Sequence, residues 1–362
     1  MRNVAYSDLM AYTLFMAEVA PNAVVAVAEI ELMEELPQDK FDRLRREDRE
    51  HYEWLERLRA IPEADRTPRQ RSALRSIHFP IGLDRYDLDD IGIDRHHNYY
   101  FPPSPLHEPF ASLFEKNSEA ALRLVRDLSN HATNGWKQIH ALNRSQMGTP
   151  LPITVEFPWG RQEFWGDWRV YSWSQGQFAA QPLECAYLAL SYWAFKEIER
   201  GRPTSEVIKA IVEGNECYAT LGLALVLALE SFEVTEATLP IASCQRLWHH
   251  DMARVAQDPM KNIDILGFGF LSRLTGAKAK AKEYLDQRNS RSRDVRQLAM
   301  FFALSENETL RERFKAALEA FPTDLPSSLR KIGRTLGRRR TCAETRSAGL
   351  ALEIEKTISR LP

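Results

Sequence analysis

The sequence predicts a mainly α protein: an irregular α-solenoid or α/α helical array carrying one small, aromatic-rich β-hairpin insert. Three observations predict it. Glycine is scarce, 16 of 362 residues, below the roughly 7% usual in globular chains, while the helix formers alanine and leucine are abundant. Apolar residues recur at helical spacing through most of the chain. Polar caps and Gly or Pro stops bracket those stretches. No clean period links them, so a TPR, ankyrin or HEAT array is not indicated.

The elements follow in order. Residues 7–35 read as two apolar helices divided at Pro21–Asn22. Gln38–Ala60 is a highly charged helix with Phe41, Leu44, Tyr52, Leu55 and Leu58 as its sparse apolar stripe. Residues 1–60 are thus N-terminal helices, and the proline- and turn-rich residues 61–108 are an irregular connector. Residues 109–330 form the main array. Asn117 can cap a helix that continues through Ala121, Leu124, Val125 and Leu128 to about Leu142. The pattern then breaks over 151–178. Leu151, Ile153, Val155 and Phe157 alternate, Gly160–Arg161 supplies a turn, and a second run holds Trp165, Trp168, Val170, Tyr171 and Trp173. This reads as a β-hairpin or short meander whose tryptophans form its packed face.

Pro182–Glu199 is apolar nearly all round, a central buried helix stopped by Gly201–Arg202–Pro203. Thr204 can cap a short helix over 205–213. Glu216–Leu229 is a second buried helix, in which Ala219, Gly222 and Ala224 admit a close neighbour. Leu247, Trp248 and Met252 mark the core face of another. Ser305 with Glu308 spells a capping box before Leu310 and Phe314, and Pro322 and Pro326 end that helix. Residues 331–362 read as a basic tail and a last amphipathic helix over 346–360.

Composition bounds function. Lys+Arg is 48 and Asp+Glu 50, so the chain lacks the overall positive charge of a simple nucleic-acid binder. Hydrophobic residues at 44% and charged residues at 27% are globular values. The mean hydropathy of −0.40 and the shortness of the apolar run Tyr218–Leu229 against the roughly 20 residues of a bilayer span predict no membrane insertion. Cys185, Cys217, Cys244 and Cys342 form no CxxC pair, which predicts a reduced, cytoplasmic protein without a disulfide framework.

Candidate chemistry was weighed at four places. Asp84, Asp87, Asp89, Asp90, Asp94, His96 and His97 are dense in metal-ligating groups. Asp89, Asp90 and Asp94 also spell DDxxxD, the magnesium-diphosphate motif of terpene synthases. Gly92 interrupts it, and no second metal motif follows. A solvated acidic loop is the plainer reading, with Asp89, Asp90, Asp94, His96 and His97 as the candidate ligands of a metal-dependent helical enzyme. Cys244 lies five residues before His249, on a different face of a helix, which argues against a thiolate paired with its base. Gly267, Gly269, Gly276 and Lys278 have the wrong spacing for a phosphate loop. No catalytic residue and no cofactor are therefore predicted. Charge is uneven along the chain, with 18 basic against 9 acidic residues from Arg273 to Arg346. Arg334, Arg338, Arg339 and Arg340 are candidates for a partner or nucleic-acid surface, but they lack the interleaved aromatics that stack on bases.

Several segments carry a resemblance when taken together. They are Phe101–Pro102–Pro103–Ser104 before Pro109–Phe110; Asn130–His131–Ala132–Thr133 with Trp136; Pro158–Trp159–Gly160 with Trp165–Gly166–Asp167–Trp168; Pro182 to Leu190; Glu213 to Ala219; and Leu247–Trp248–His249–His250–Asp251. In order and approximate spacing, over residues ~100–330, they resemble the helical C-terminal-type region of very large bacterial ATP-binding proteins. Those proteins are of the STAND or AAA-like NTPase type linked to anti-phage defence. The resemblance implies a non-catalytic interaction or sensor region placed after an NTPase module. It implies a protein partner, an NTPase module encoded nearby or upstream. This chain departs from the pattern in having no Walker A lysine or Walker B aspartate in context, and again from Arg340 onward. The departure implies a split subunit, a truncated reading frame or a fragment of a longer protein.

Overall fold

The computed structural model describes residues 2–75, 90–94, 97–142, 149–261 and 274–321. Within them the fold is mainly helical, with one two-stranded antiparallel hairpin. The helices are α1 (Arg2–Met10), α2 (Thr13–Val19), α3 (Pro21–Leu32), α4 (Pro37–Ala60), α5 (Pro68–Arg75), α6 (Phe110–Lys116), α7 (Ser118–Leu142), α8 (Trp168–Trp173), α9 (Gln181–Glu199), α10 (Thr204–Val212), α11 (Tyr218–Ser231), α12 (Leu239–Ala242), α13 (Gln245–Lys261), α14 (Gly276–Asp286), α15 (Val295–Ala303) and α16 (Glu308–Ala320). The strands are β1 (Ile153–Phe157) and β2 (Gly160–Phe164).

The helices stack roughly in chain order. α2 and α3 lie on α6 and α7, α4 on α7, and α7 on α9; α9 touches α10, α11 and α14, and α11 reaches α8, α12 and α15. One continuous apolar core runs through these layers, from Tyr6 and Met10 to Leu318 and Phe321. α9 and α11 sit at its centre. Only short stretches of polar residues interrupt their apolar surface, so they must be enclosed. α11 buries Tyr218 through Leu225 and Leu227–Leu229.

Two glycines set how closely the layers approach. A side chain at Gly135 of α7 would collide with the Ile91 carbonyl, so residues 90–94 lie directly on that helix. The same residues are stitched to the end of α3, where the Glu34 amide donates to the Gly92 carbonyl (2.8 Å) and the Asp94 amide to that of Leu32 (3.2 Å). A Cβ at Gly222 would come within 2.8 Å of the Tyr171 ring, so the small residue expected to admit a neighbour admits α8.

Several sequence expectations change. Asn307 rather than Ser305 caps α16, its side chain accepting the Leu310 amide at 3.2 Å, and Thr204 is the first residue of α10, its hydroxyl donating to Glu233 instead of capping. The N-terminal apolar stretch forms three helices, because the chain breaks at Ala11–Tyr12 as well as before Pro21. A helix over Phe110–Lys116 precedes the one capped by Asn117, whose side chain accepts the Ala120 amide at 3.0 Å. The hairpin turns on Pro158–Trp159, and Gly160 is the first residue of β2. Trp168–Trp173 is helical rather than a strand: Asp167 accepts the amides of Arg169 and Val170 at 3.0 and 3.2 Å, a side-chain cap that starts a helix. The β insert therefore occupies 153–164.

Candidate functional site

The segment joining α10 to α11 is held from two sides. On α7, the Asn130 side chain donates to the Gly214 carbonyl (3.0 Å) and accepts the Glu216 amide (2.8 Å). After β2, the Trp165 amide donates to the Glu216 carbonyl (2.8 Å), and the Tyr218 amide donates to the Trp165 carbonyl (3.1 Å). This parallel bridge fixes the hairpin to the start of α11. Gln162 adds a second tie, donating to the Val212 carbonyl at 3.0 Å while accepting from the Trp159 indole at 2.9 Å.

Above this junction opens a groove of about 380 Å³ lined by Lys137, Gln162, Glu163, Trp165, Gly214, Asn215 and Glu216. The Lys137 ammonium lies 2.5 Å from the Glu216 carboxylate and 4.7 Å above the Trp165 ring. An ammonium over an indole face is attracted by the ring quadrupole, so the lysine is held by both walls of the groove.

Beneath it, the buried end of α11 carries a polar chain. The Tyr218 hydroxyl is 2.9 Å from His250 Nδ1, and the Tyr171 hydroxyl donates to Asp251 Oδ1 at 3.0 Å. Arg254 Nε donates to the same oxygen at 2.8 Å, and the Val295 amide donates to Oδ2 at 2.8 Å. The other guanidinium nitrogens donate to the carbonyls of Ser290, Arg291 and Arg293. The Asp251–Arg254 pair is almost wholly enclosed, at 0% and 2% side-chain exposure. Burial pushes the Asp251 carboxyl upward against the pull of Arg254, Tyr171 and the Val295 amide. Burial pushes His250 down to about 3, helped by the charges of His249 and Arg246. This chain binds α13 to α8 and to the start of α15. Tyr171, Asp251 and Arg254 are buried and His250 is half-buried, which suits architecture more than turnover.

No protein-family model matches this sequence, and none of the curated proteins does. The geometry alone therefore bears on function.

The metal candidates do not converge. Asp90 pairs with Lys40 of α4 at 2.5 Å. The Asp94 backbone is tied to α3, as described. His97 is enclosed among Tyr6, Tyr99 and Tyr100, with Nε2 3.7 Å from Glu31. Among the described residues no group of three or more His, Cys, Asp or Glu is arranged to hold a metal ion. Asp89 and His96 lie outside the described residues, as do Arg334, Arg338, Arg339 and Arg340. Burial pushes the Cys244 thiol up, which disfavours a thiolate, and His250 is bonded to Tyr218. Gly276 opens α14, and Lys278 in its first turn reaches His107 Nδ1 at 3.2 Å. The second ring nitrogen of His107 is 3.0 Å from the Pro102 carbonyl, so Nε2 carries the proton and Nδ1 accepts from the ammonium. Burial, opposed by the Pro102 bond and aided by the Lys278 charge, lowers His107 to about 4.

Sequence reasoning missed Lys137, Gln162, Glu163 and the His107–Lys278 contact. Lys137 and Glu216 are 79 residues apart, and His107 and Lys278 are 171 apart. No spacing rule joins such residues. The signal that was legible is coarser: segments 130–136, 158–168, 213–219 and 247–251, singled out for their resemblance, meet around the N-terminal half of α11.

Proposed function

We propose that this chain is a non-catalytic helical interaction region that works in the cytoplasm beside an ATP-binding module. That module would be of the STAND or AAA-like type linked to bacterial anti-phage defence. One observation carries the interaction reading. α1–α3 turn Leu9, Tyr12, Leu14, Phe15, Val19 and Ile30 to solvent, with Tyr12, Phe15 and Ile30 each more than 65% exposed. Single exposed apolar residues are ordinary, but a cluster of this size in about twenty residues is what protein contact surfaces carry. Two further observations support the reading. The titratable groups of the buried chain are neutralised by one another rather than opened to a substrate. No helix among the described residues is long and apolar enough to cross a membrane.

The test is co-expression with an ATP-binding protein found in a neighbouring reading frame, followed by co-purification. Wild type should co-purify, and the triple variant Tyr12→Ser, Phe15→Ser, Ile30→Ser should not, with helicity by circular dichroism unchanged. ATP hydrolysis by the purified chain alone, or capture indifferent to the triple variant, would overturn the proposal.

A further inference from the structure

Among the described residues the sheet has two strands, and the outer edge of β2 leaves backbone groups unpaired. The two-residue turn makes Phe157–Gly160 the closing hydrogen-bonded pair, and Val155–Gln162 and Ile153–Phe164 follow in the same phase. Arg161, Glu163 and Trp165 therefore turn their amides and carbonyls outward. At Trp165 both are used, by Glu216 and Tyr218. At Arg161 and Glu163 neither has a backbone partner among the described residues. Their side chains are 63% and 47% exposed, lie on the face opposite the buried Phe164 and meet each other at 3.8 Å within one copy, with Glu156 3.7 Å from Arg161. Beside Glu163 this edge faces the groove whose far wall is Gly214–Glu216.

We propose that the β2 edge pairs with the same edge of a second copy, antiparallel, about a two-fold axis through Gln162. The register follows from the phase just described. Arg161 falls opposite Glu163 of the second copy, and Glu163 opposite its Arg161. All four residues present the outward backbone groups, so both pairs are of the hydrogen-bonded kind and four backbone bonds form. Gln162 faces its own copy across the axis in a non-hydrogen-bonded pair, as its inward-bonded backbone requires. Two oppositely charged cross-strand pairs then flank the axis on the solvent face, an arrangement that favours pairing. Charges on an edge ordinarily discourage pairing, but these two are self-complementary under the two-fold, as an isologous interface demands. The β1 edge has no such property, since its outward residues would set Thr154 against Glu156. The bridge from Trp165 to α11 closes the edge beyond Phe164 and confines the junction to Gly160–Phe164. So short a junction falls well under a standard interface and gives weak, concentration-dependent association.

Sedimentation equilibrium of the full chain over the micromolar range is the experiment. The expected weight-average mass rises from 41.7 kDa towards twice that value. Glu163→Arg sets arginine against arginine and should raise the dissociation constant about tenfold or more. The swap Arg161→Glu with Glu163→Arg restores opposite charges across the axis and should restore association. Because both residues are exposed, the fold tolerates the changes, and circular dichroism checks this. A monomer at every concentration, a dimer indifferent to Glu163→Arg, or a swap that fails to rescue overturns the proposal.

Discussion

α3 and α11 are written in nearly the same alphabet, alanine, valine and leucine with few charges, yet they end in different surroundings. α11 is enclosed by α8, α10, α12 and α15. α3 packs Val24, Val25, Ala28 and Leu32 inward and leaves Ile30 69% exposed. The difference lies outside both sequences. α11 has neighbours on every side because the chain wraps back over it through the hairpin, α8 and α15, whereas α3 belongs to the first layer. Apolar composition states what a helix can bury, and the neighbours decide what it does bury.

Five measurements can break or sharpen that contrast. The largest effect is expected from Asp251→Ala beside α11, which strands the enclosed Arg254 guanidinium. Denaturant unfolding should show a loss of about 3–5 kcal/mol. Leu225→Ala, at a fully buried position of α11, should cost about 2–5 kcal/mol by the same measurement. Gly222→Ala pushes a methyl into the Tyr171 ring and should cost about 1–3 kcal/mol.

The fourth concerns acid. His250 is held neutral, with its affinity for a proton lowered to about 3 from an ordinary value of 6.5. The unfolded chain binds a proton there that the folded chain refuses. The stability from this group is complete above pH 6.5 and is lost as pH falls from 6.5 towards 3. The pH profile of His250→Gln should therefore be shallower than wild type across that window by about one proton. Equal profiles would show that the ring is not enclosed. The smallest effect belongs to α3: Ile30→Ala should alter stability by no more than about 0.5 kcal/mol. A loss comparable to that of Leu225→Ala would erase the contrast and show that the first layer is covered.

Much of the helical frame was legible. α4, α7, α9, α11 and α16 lie within a few residues of their predicted bounds, because each carries apolar residues at helical spacing over several turns. The failures are local and physical. Trp168–Trp173 carries aromatic and β-branched residues suited to a strand, and one carboxylate, Asp167, converts it to a helix. α6 is too short for periodicity to announce. The candidate site was legible only as segments. The segments around Asn130, Trp165 and Glu216 stand out in the sequence only through a resemblance, and nothing in their order along the chain says that Asn130 clasps Gly214 and Glu216. The acidic run shows the converse: Asp90 and His97 are close in sequence, and the fold sets them against different partners, Lys40 and Glu31.

The bridge between Trp165 and residues 216–218 joins the most exposed strand to the most enclosed helix through two main-chain bonds. Its persistence does not depend on side-chain identity. Substitutions can recolour the groove, the hairpin face and the tryptophan itself without cutting the tie, and only a proline at 165 or 218, by removing an amide, severs it directly. The hairpin is thus free to drift in sequence while its mooring stays put, an arrangement that lets a surface change partners over generations without unsettling the helix it hangs from.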